Sequence, residues 1–172
     1  LALWGDGVTR KRKATPRHQA NPQAWLVAIQ GACLLSLDDR TVWALQFDAA
    51  LDAVRRGQAD QAAWACIFDA INLAEALVLM RVARDDAGLI AAAQQACVAI
   101  LDRQRATGTR AARASELAAL RELQGAWVDL LAGITHSQRF RAEELVARRT
   151  RAAQAGGMGA QVRVIDAAGL PA

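Results

Sequence analysis

An all-α fold, a single domain of about six helices, is what this sequence predicts, and three observations predict it. Alanine, the strongest helix former, makes up about a quarter of the chain. Tyrosine is absent and the three prolines stand near the two ends, so strand formers and helix breakers are scarce where a core must be built. Apolar residues recur at helical spacing through most of the chain, most densely between Ala62 and Arg84. At 172 residues the chain is long enough for one core without metals or disulfides. The pattern divides it into a disordered basic arm (1–20), a helical bundle domain (21–155) and a flexible tail (156–172).

The 62–84 stretch is the expected centre. Trp64, Ile67, Phe68, Ile71, Leu77 and Val78 form its apolar surface, and burying such side chains stabilises by roughly 1.5–3 kcal/mol each. Asp69, Asn72 and Glu75 interrupt that surface in steps of three, which keeps them on one drifting stripe. The stripe reads as the solvent edge of the helix; the alternative is a contact row in which each carboxylate must find a cation.

The remaining helices follow from their end signals. Asn21-Pro22 supplies an N-cap and a first helical residue for a helix running to about Leu35. Ser36 with Asp39 opens a second helix that Gly57 closes, with Trp43, Phe47, Ala50, Leu51 and Val54 on its apolar face and Asp52–Arg56 as an i,i+4 pair. Asp60 caps the central helix. Asp85-Asp86 and Gly88 precede a fourth, from about Ala87 to Arg105, burying Leu89, Ile90, Ala93, Cys97, Ile100 and Leu101. Thr107-Gly108-Thr109-Arg110 then separates four helices from an expected two-helix hairpin. Ser115 opens the fifth helix, whose Leu117, Leu120, Leu123, Trp127, Leu130, Leu131 and Ile134 make a near-heptad seam. The sixth, about Ser137 to Ala155, carries Phe140, Leu145 and Val146 as its only large apolar residues and is the most weakly anchored. Beyond Gly156-Gly157, Gln161 to Ile165 could pair as a strand against an offered edge.

The net charge of +4 is unevenly spread. Residues 1–22 hold five basic and one acidic residue, 36–102 five and ten, and 137–155 five and two, so the ends are cationic and the middle is acidic. Arginine heavily outnumbers lysine, which with the alanine excess is associated with GC-rich bacterial genomes. Cys33, Cys66 and Cys97 are widely spaced and read as small core hydrophobes in a reducing cytoplasm; a zinc site drawing on them with His136 or His18 lacks the short ligand spacings such sites show. Ala24 to Ile29 after basic residues resembles a secretion signal, but Gln30 breaks the apolar run and no small-residue cleavage site follows. No segment reads as long and apolar enough for a membrane span.

No phosphate-cradling glycine loop, zinc-protease helix, nucleophile elbow or Glu-x-x-His pair occurs, so neither an enzyme nor a cofactor is expected. Two binding surfaces are. The seam residues Leu117, Leu120, Leu123, Trp127, Leu130 and Leu131, with Phe140, suggest a protein interface and self-association. Arg139, Arg141, Arg148, Arg149 and Arg151 on the last helix, with Arg10, Lys11, Arg12 and Lys13 in the arm, suggest phosphate contacts of a nucleic-acid-binding transcriptional regulator. Arg103, Arg105, Arg110 and Arg113 could extend that surface. No helix-turn-helix spacing accompanies these arginines, so a cytoplasmic, non-enzymatic helical protein-interaction module is the first expectation and the regulator the second.

Asn21-Pro22, Ala50-Leu51 leading to Arg55-Arg56-Gly57, and Ile71-Asn72-Leu73-Ala74 resemble a group of small all-helical proteins from phages, plasmids and integrated elements of proteobacteria, some labelled Fis-like regulators. The similarity spans roughly residues 21–155. It implies a mobile-element accessory protein that binds and modulates a host or rival component. The Fis label would further imply a C-terminal helix-turn-helix, which this chain does not display, and no site residue transfers.

Overall fold

The structure, a computed structural model, describes residues 22–109 and 111–155. The expected arm and tail, including Arg10 to Lys13 and Gln161 to Ile165, lie outside the described residues, as does Arg110. The fold is an all-α bundle of six helices: α1 (Pro22–Ala32), α2 (Leu37–Arg55), α3 (Gln61–Leu79), α4 (Leu89–Thr107), α5 (Ala114–Gly133) and α6 (His136–Gln154). Helix α3 is the centre, packed against α2, α4, α5 and α6. Nine of its residues are buried, among them Trp64, Ile67, Phe68, Ile71 and Leu77. Trp64 stacks on Phe68 with ring centroids 5.5 Å apart.

Side-chain oxygens start most of the helices by taking the N–H groups that have no partner within the helix. Ser36 Oγ accepts from the Asp39 N–H at 3.0 Å, and Asp60 Oδ1 from the Ala63 N–H at 2.8 Å. Helix α4 has glycine at its N-cap, in the left-handed region with φ 68°. Its first donors are taken from outside by Asp85, whose two carboxylate oxygens accept from the Leu89 and Ile90 N–H groups at 2.7 and 3.0 Å. Thr135 and Gln138 form a reciprocal capping box on α6.

Several expectations are corrected. The first helix stops at Ala32, before Leu35, because the next residues leave it for an isolated antiparallel bridge, Leu34 with Thr135. The Leu35 N–H donates to the Ile134 carbonyl and the His136 N–H to the Cys33 carbonyl, tying the α1–α2 link to the α5–α6 link. Helix α3 ends at Leu79, before Arg84. The Arg81 N–H donates to the Val78 carbonyl and the Val82 N–H to the Leu77 carbonyl, a Schellman stop in which Arg81 adopts φ 59°. Helix α5 starts at Ala114, and Glu116, not Ser115, accepts from the Arg113 N–H.

The expected α5–α6 hairpin is absent. Among the described residues these helices share no backbone packing; α5 lies on α4 and α2, whereas α6 lies on α3 and carries α1 on its far side. Among the described residues helix α1 packs on α6 alone, so it, not α6, is the most weakly anchored helix. Its Gly31 passes so near α6 that a Cβ there would stand 3.3 Å from Ser137 Cβ. Helix α3 does reach the length and apolar character needed to cross a membrane, contrary to the sequence reading. Its tryptophan, phenylalanine and isoleucines are instead enclosed by its neighbours.

Candidate functional site

The fifth-helix seam is filled from within the chain, which corrects it as an outward interface. Leu120, Leu123, Trp127 and Leu131 are all buried, and Leu117 and Leu130 are half-buried. Helices α2 and α4 cover this face, and Trp127 stacks on Trp43 of α2 with centroids 6.3 Å apart and planes within 10°. A periodic seam records that a long helix is covered; it does not record by what.

Phe140 is the exception, 60 % exposed near the start of α6. It lies opposite Val27, which is 67 % exposed on α1, and both line a recess of about 970 Å³ whose floor includes Gly31, Cys33 and the first residues of α6. Leu34 and Leu37, immediately beyond in the chain, are 56 % and 69 % exposed. Leu37 begins an outer apolar face of α2 that continues through Val42 and Leu45, opposite the Phe47, Ala50, Leu51 and Val54 face turned to the core. This end of the bundle therefore presents large apolar side chains from α1, α2 and α6 together. Only Phe140 was singled out in the sequence; Val27 and Leu34 belong to apolar runs that composition alone assigns to a core. Cys33, read as a core residue, is exposed here, while Cys66 is half-buried and Cys97 buried, so the three are not gathered. No metal-binding group of His, Cys, Asp or Glu occurs among the described residues.

The arginines of α6 divide into two sets. Arg149 Nη2 donates to Glu75 Oε1 at 3.3 Å across the α3–α6 contact. Arg139 Nε donates to Glu143 Oε1 at 2.8 Å, and its guanidinium carbon lies 4.4 Å from the centre of the Trp43 ring. These two are fastened to the bundle. Arg141, Arg148 and Arg151 are exposed on one side of α6, with Glu144 3.8 Å from Arg148. Of the α3 stripe, Glu75 is thus a cross-helix contact, whereas Asp69 remains exposed and Asn72 half-buried. The stripe is half solvent edge and half contact row.

The second arginine group disperses likewise. Arg103 turns inward: its Nη1 donates to the Ala111 carbonyl at 2.8 Å and its Nη2 to Glu116, which also accepts from the Arg113 N–H at 2.7 Å. Arg105 pairs with Asp102 on its own helix. Burial, and the Asp69 carboxylate beside it, raise the Cys66 thiol, while burial pushes that of Cys97 up to about 12, so both stay protonated at neutral pH. Comparison of the chain with protein-family models, with curated proteins and with solved structures gave no match.

Proposed function

We propose that this protein is a non-enzymatic helical interaction module that self-associates and binds protein through the apolar end formed by α1, the start of α2 and the start of α6. The observation that supports it is that Val27, Leu34, Leu37 and Phe140, each more than half exposed, stand in or beside the recess between α1 and α6, where Leu34 bridges to the recess residue Thr135. Single exposed apolar residues need no explanation, but Val27 and Phe140 lining one recess, with Leu34 and Leu37 exposed next to it in the chain, favour a surface that is covered in use. A cytoplasmic accessory role in a bacterial mobile element, binding a host or rival component, fits this reading. Light scattering coupled to size exclusion tests it: the full chain should exceed monomer mass with rising concentration, and Val27→Asp with Phe140→Asp should return it to a folded monomer. A wild-type chain that stays monomeric throughout overturns the proposal.

The exposure of Arg141, Arg148 and Arg151 along one side of α6 favours a second reading, a nucleic-acid-binding regulator making phosphate contacts. Replacing these three by Ala should weaken DNA or RNA binding and flatten its salt dependence. Unchanged binding removes this reading.

A further inference from the structure

A groove runs along α3 between α2 and α6, which do not pack on each other. It exists because the facing positions are small: alanines of all three helices line it, so the walls stand apart and leave about 920 Å³. That lies within the range of small-molecule sites, roughly 300–1,000 Å³. Apolar and aromatic surface comes from Trp43, Trp127 and Leu73, and the charged groups reaching it are the carboxylates Asp69 and Glu143. Arg139 ties the walls together at one place, bonded to Glu143 and lying over the Trp43 ring. The chain's own guanidinium thus already shows that this indole and carboxylate accept a planar cation. Asp69 has no cation within ion-pair distance among the described residues. Neighbouring apolar surface first, and Glu143 second, hold its carboxyl above the usual range, although one side of the residue still meets solvent.

We propose that the α2–α3–α6 groove binds an organic monocation, an ammonium or amidinium carried on a flat apolar body, with the charge at Asp69 and the apolar body between Trp43, Leu73 and the alanine walls. The anionic lining excludes carboxylates and phosphates of the same size, and the absence of close backbone packing between α2 and α6 leaves room for an aromatic ring system. This site is separate from the apolar end proposed for protein binding and does not depend on it.

Calorimetric titration of the full chain with naphthylmethylammonium tests the idea, with naphthylmethanol and naphthoate as neutral and anionic counterparts. The ammonium should bind saturably and about tenfold more tightly than the alcohol, the ratio expected when the ion pair with Asp69 adds roughly 1.4 kcal/mol. Asp69→Asn should abolish most of that preference while leaving the far-ultraviolet circular dichroism unchanged. Bound ammonium should also slow modification of Cys66, which lines the groove, by a methanethiosulfonate reagent, without slowing that of Cys33, which does not. Equal binding of alcohol and ammonium overturns the proposal, as does ammonium binding that Asp69→Asn leaves intact or that does not protect Cys66.

Discussion

Replacing Glu116 by Gln removes one charge and no volume, and should cost about 3 kcal/mol. Among the described residues Glu116 is the one charged residue in the buried set, with side chains of Glu116 and Arg103 only 10 % and 15 % exposed. One carboxylate oxygen accepts from Arg103 and the other from the Arg113 N–H, so both are committed to donors. An amide in its place must turn its NH2 toward one of those donors. That loses a charge-assisted bond worth about 1.5–3 kcal/mol and leaves the Arg103 guanidinium short of compensation. Against a total stability of about 5–15 kcal/mol, the melting temperature should fall by on the order of 10 °C. Urea unfolding of Glu116→Gln, Arg103→Met and the double variant forms a cycle that isolates the pair. The double variant should cost about 2 kcal/mol less than the two single changes together, because neither charge is then abandoned. Additivity to within about 0.5 kcal/mol, or a Glu116→Gln cost under about 1 kcal/mol, would falsify the view that this pair clamps the α4–α5 loop.

Four further outcomes follow from described geometry. Arg81→Gly should stabilise by about 0.5–1 kcal/mol because Arg81 fills the left-handed position of a helix stop, whereas Gly57→Ala, at φ 69° in the equivalent stop of α2, should destabilise by a similar amount; thermal melts giving the reverse signs would refute both. Leu123→Asp should yield unfolded or insoluble chain, since Leu123 is buried and a carboxylate there loses its hydration, and a folded soluble product in circular dichroism would contradict that placement. Titration of the native protein with a disulfide reagent should modify Cys33 quickly, Cys66 slowly and Cys97 only on unfolding; early modification of Cys97 would place its helix face wrongly. The raised Asp69 carboxyl means the folded chain holds its proton to higher pH than the unfolded one, so this group's contribution to stability falls as pH rises from its ordinary 3.8 through the raised value. Asp69→Asn should therefore melt higher than wild type at neutral pH, with the gain fading on acidification; a pH-independent difference refutes the assignment.

Helix positions were legible because caps and periodicity are local. Ser36, Asp60 and Gly57 act where their residue types place them, and the inward faces of α2, α3 and α4 match the apolar spacing. Two boundaries failed for physical reasons. Arg81 adopts a backbone state for which arginine has no preference, so nothing in the sequence marks that stop. Leu34 and Leu35 keep helical apolar character yet are drawn out of α1 by backbone bonds to residues a hundred positions away. The binding surfaces were harder still. Leu120 and Phe140 are both large and apolar on amphipathic helices, and only the packing of α2 and α4 over Leu120, against the 60 % exposure of Phe140, separates core from surface. The arginines of α6 repeat this: Arg148 and Arg149 are neighbours in sequence, yet the one turned toward Glu75 is internal and the other is not. The groove over α3 arises from what alanine fails to fill, and an absence of volume leaves no periodic mark.

The bridge between Leu34 and Thr135 sets an order of events. Helix α1 is the first described element to leave a ribosome, but α6, the one helix it packs on among the described residues, begins 104 residues after α1 ends. At roughly 5–20 residues per second, α1 waits on the order of ten seconds with its docking partner unmade. The two-stranded tie then closes a loop that spans almost the whole domain, a contact whose entropy cost is met only after α3 has gathered its own neighbours. Docking of α1 is thus a late step of folding, and a chain halted before α6 leaves α1, together with the face of α3 that α6 covers, without a partner.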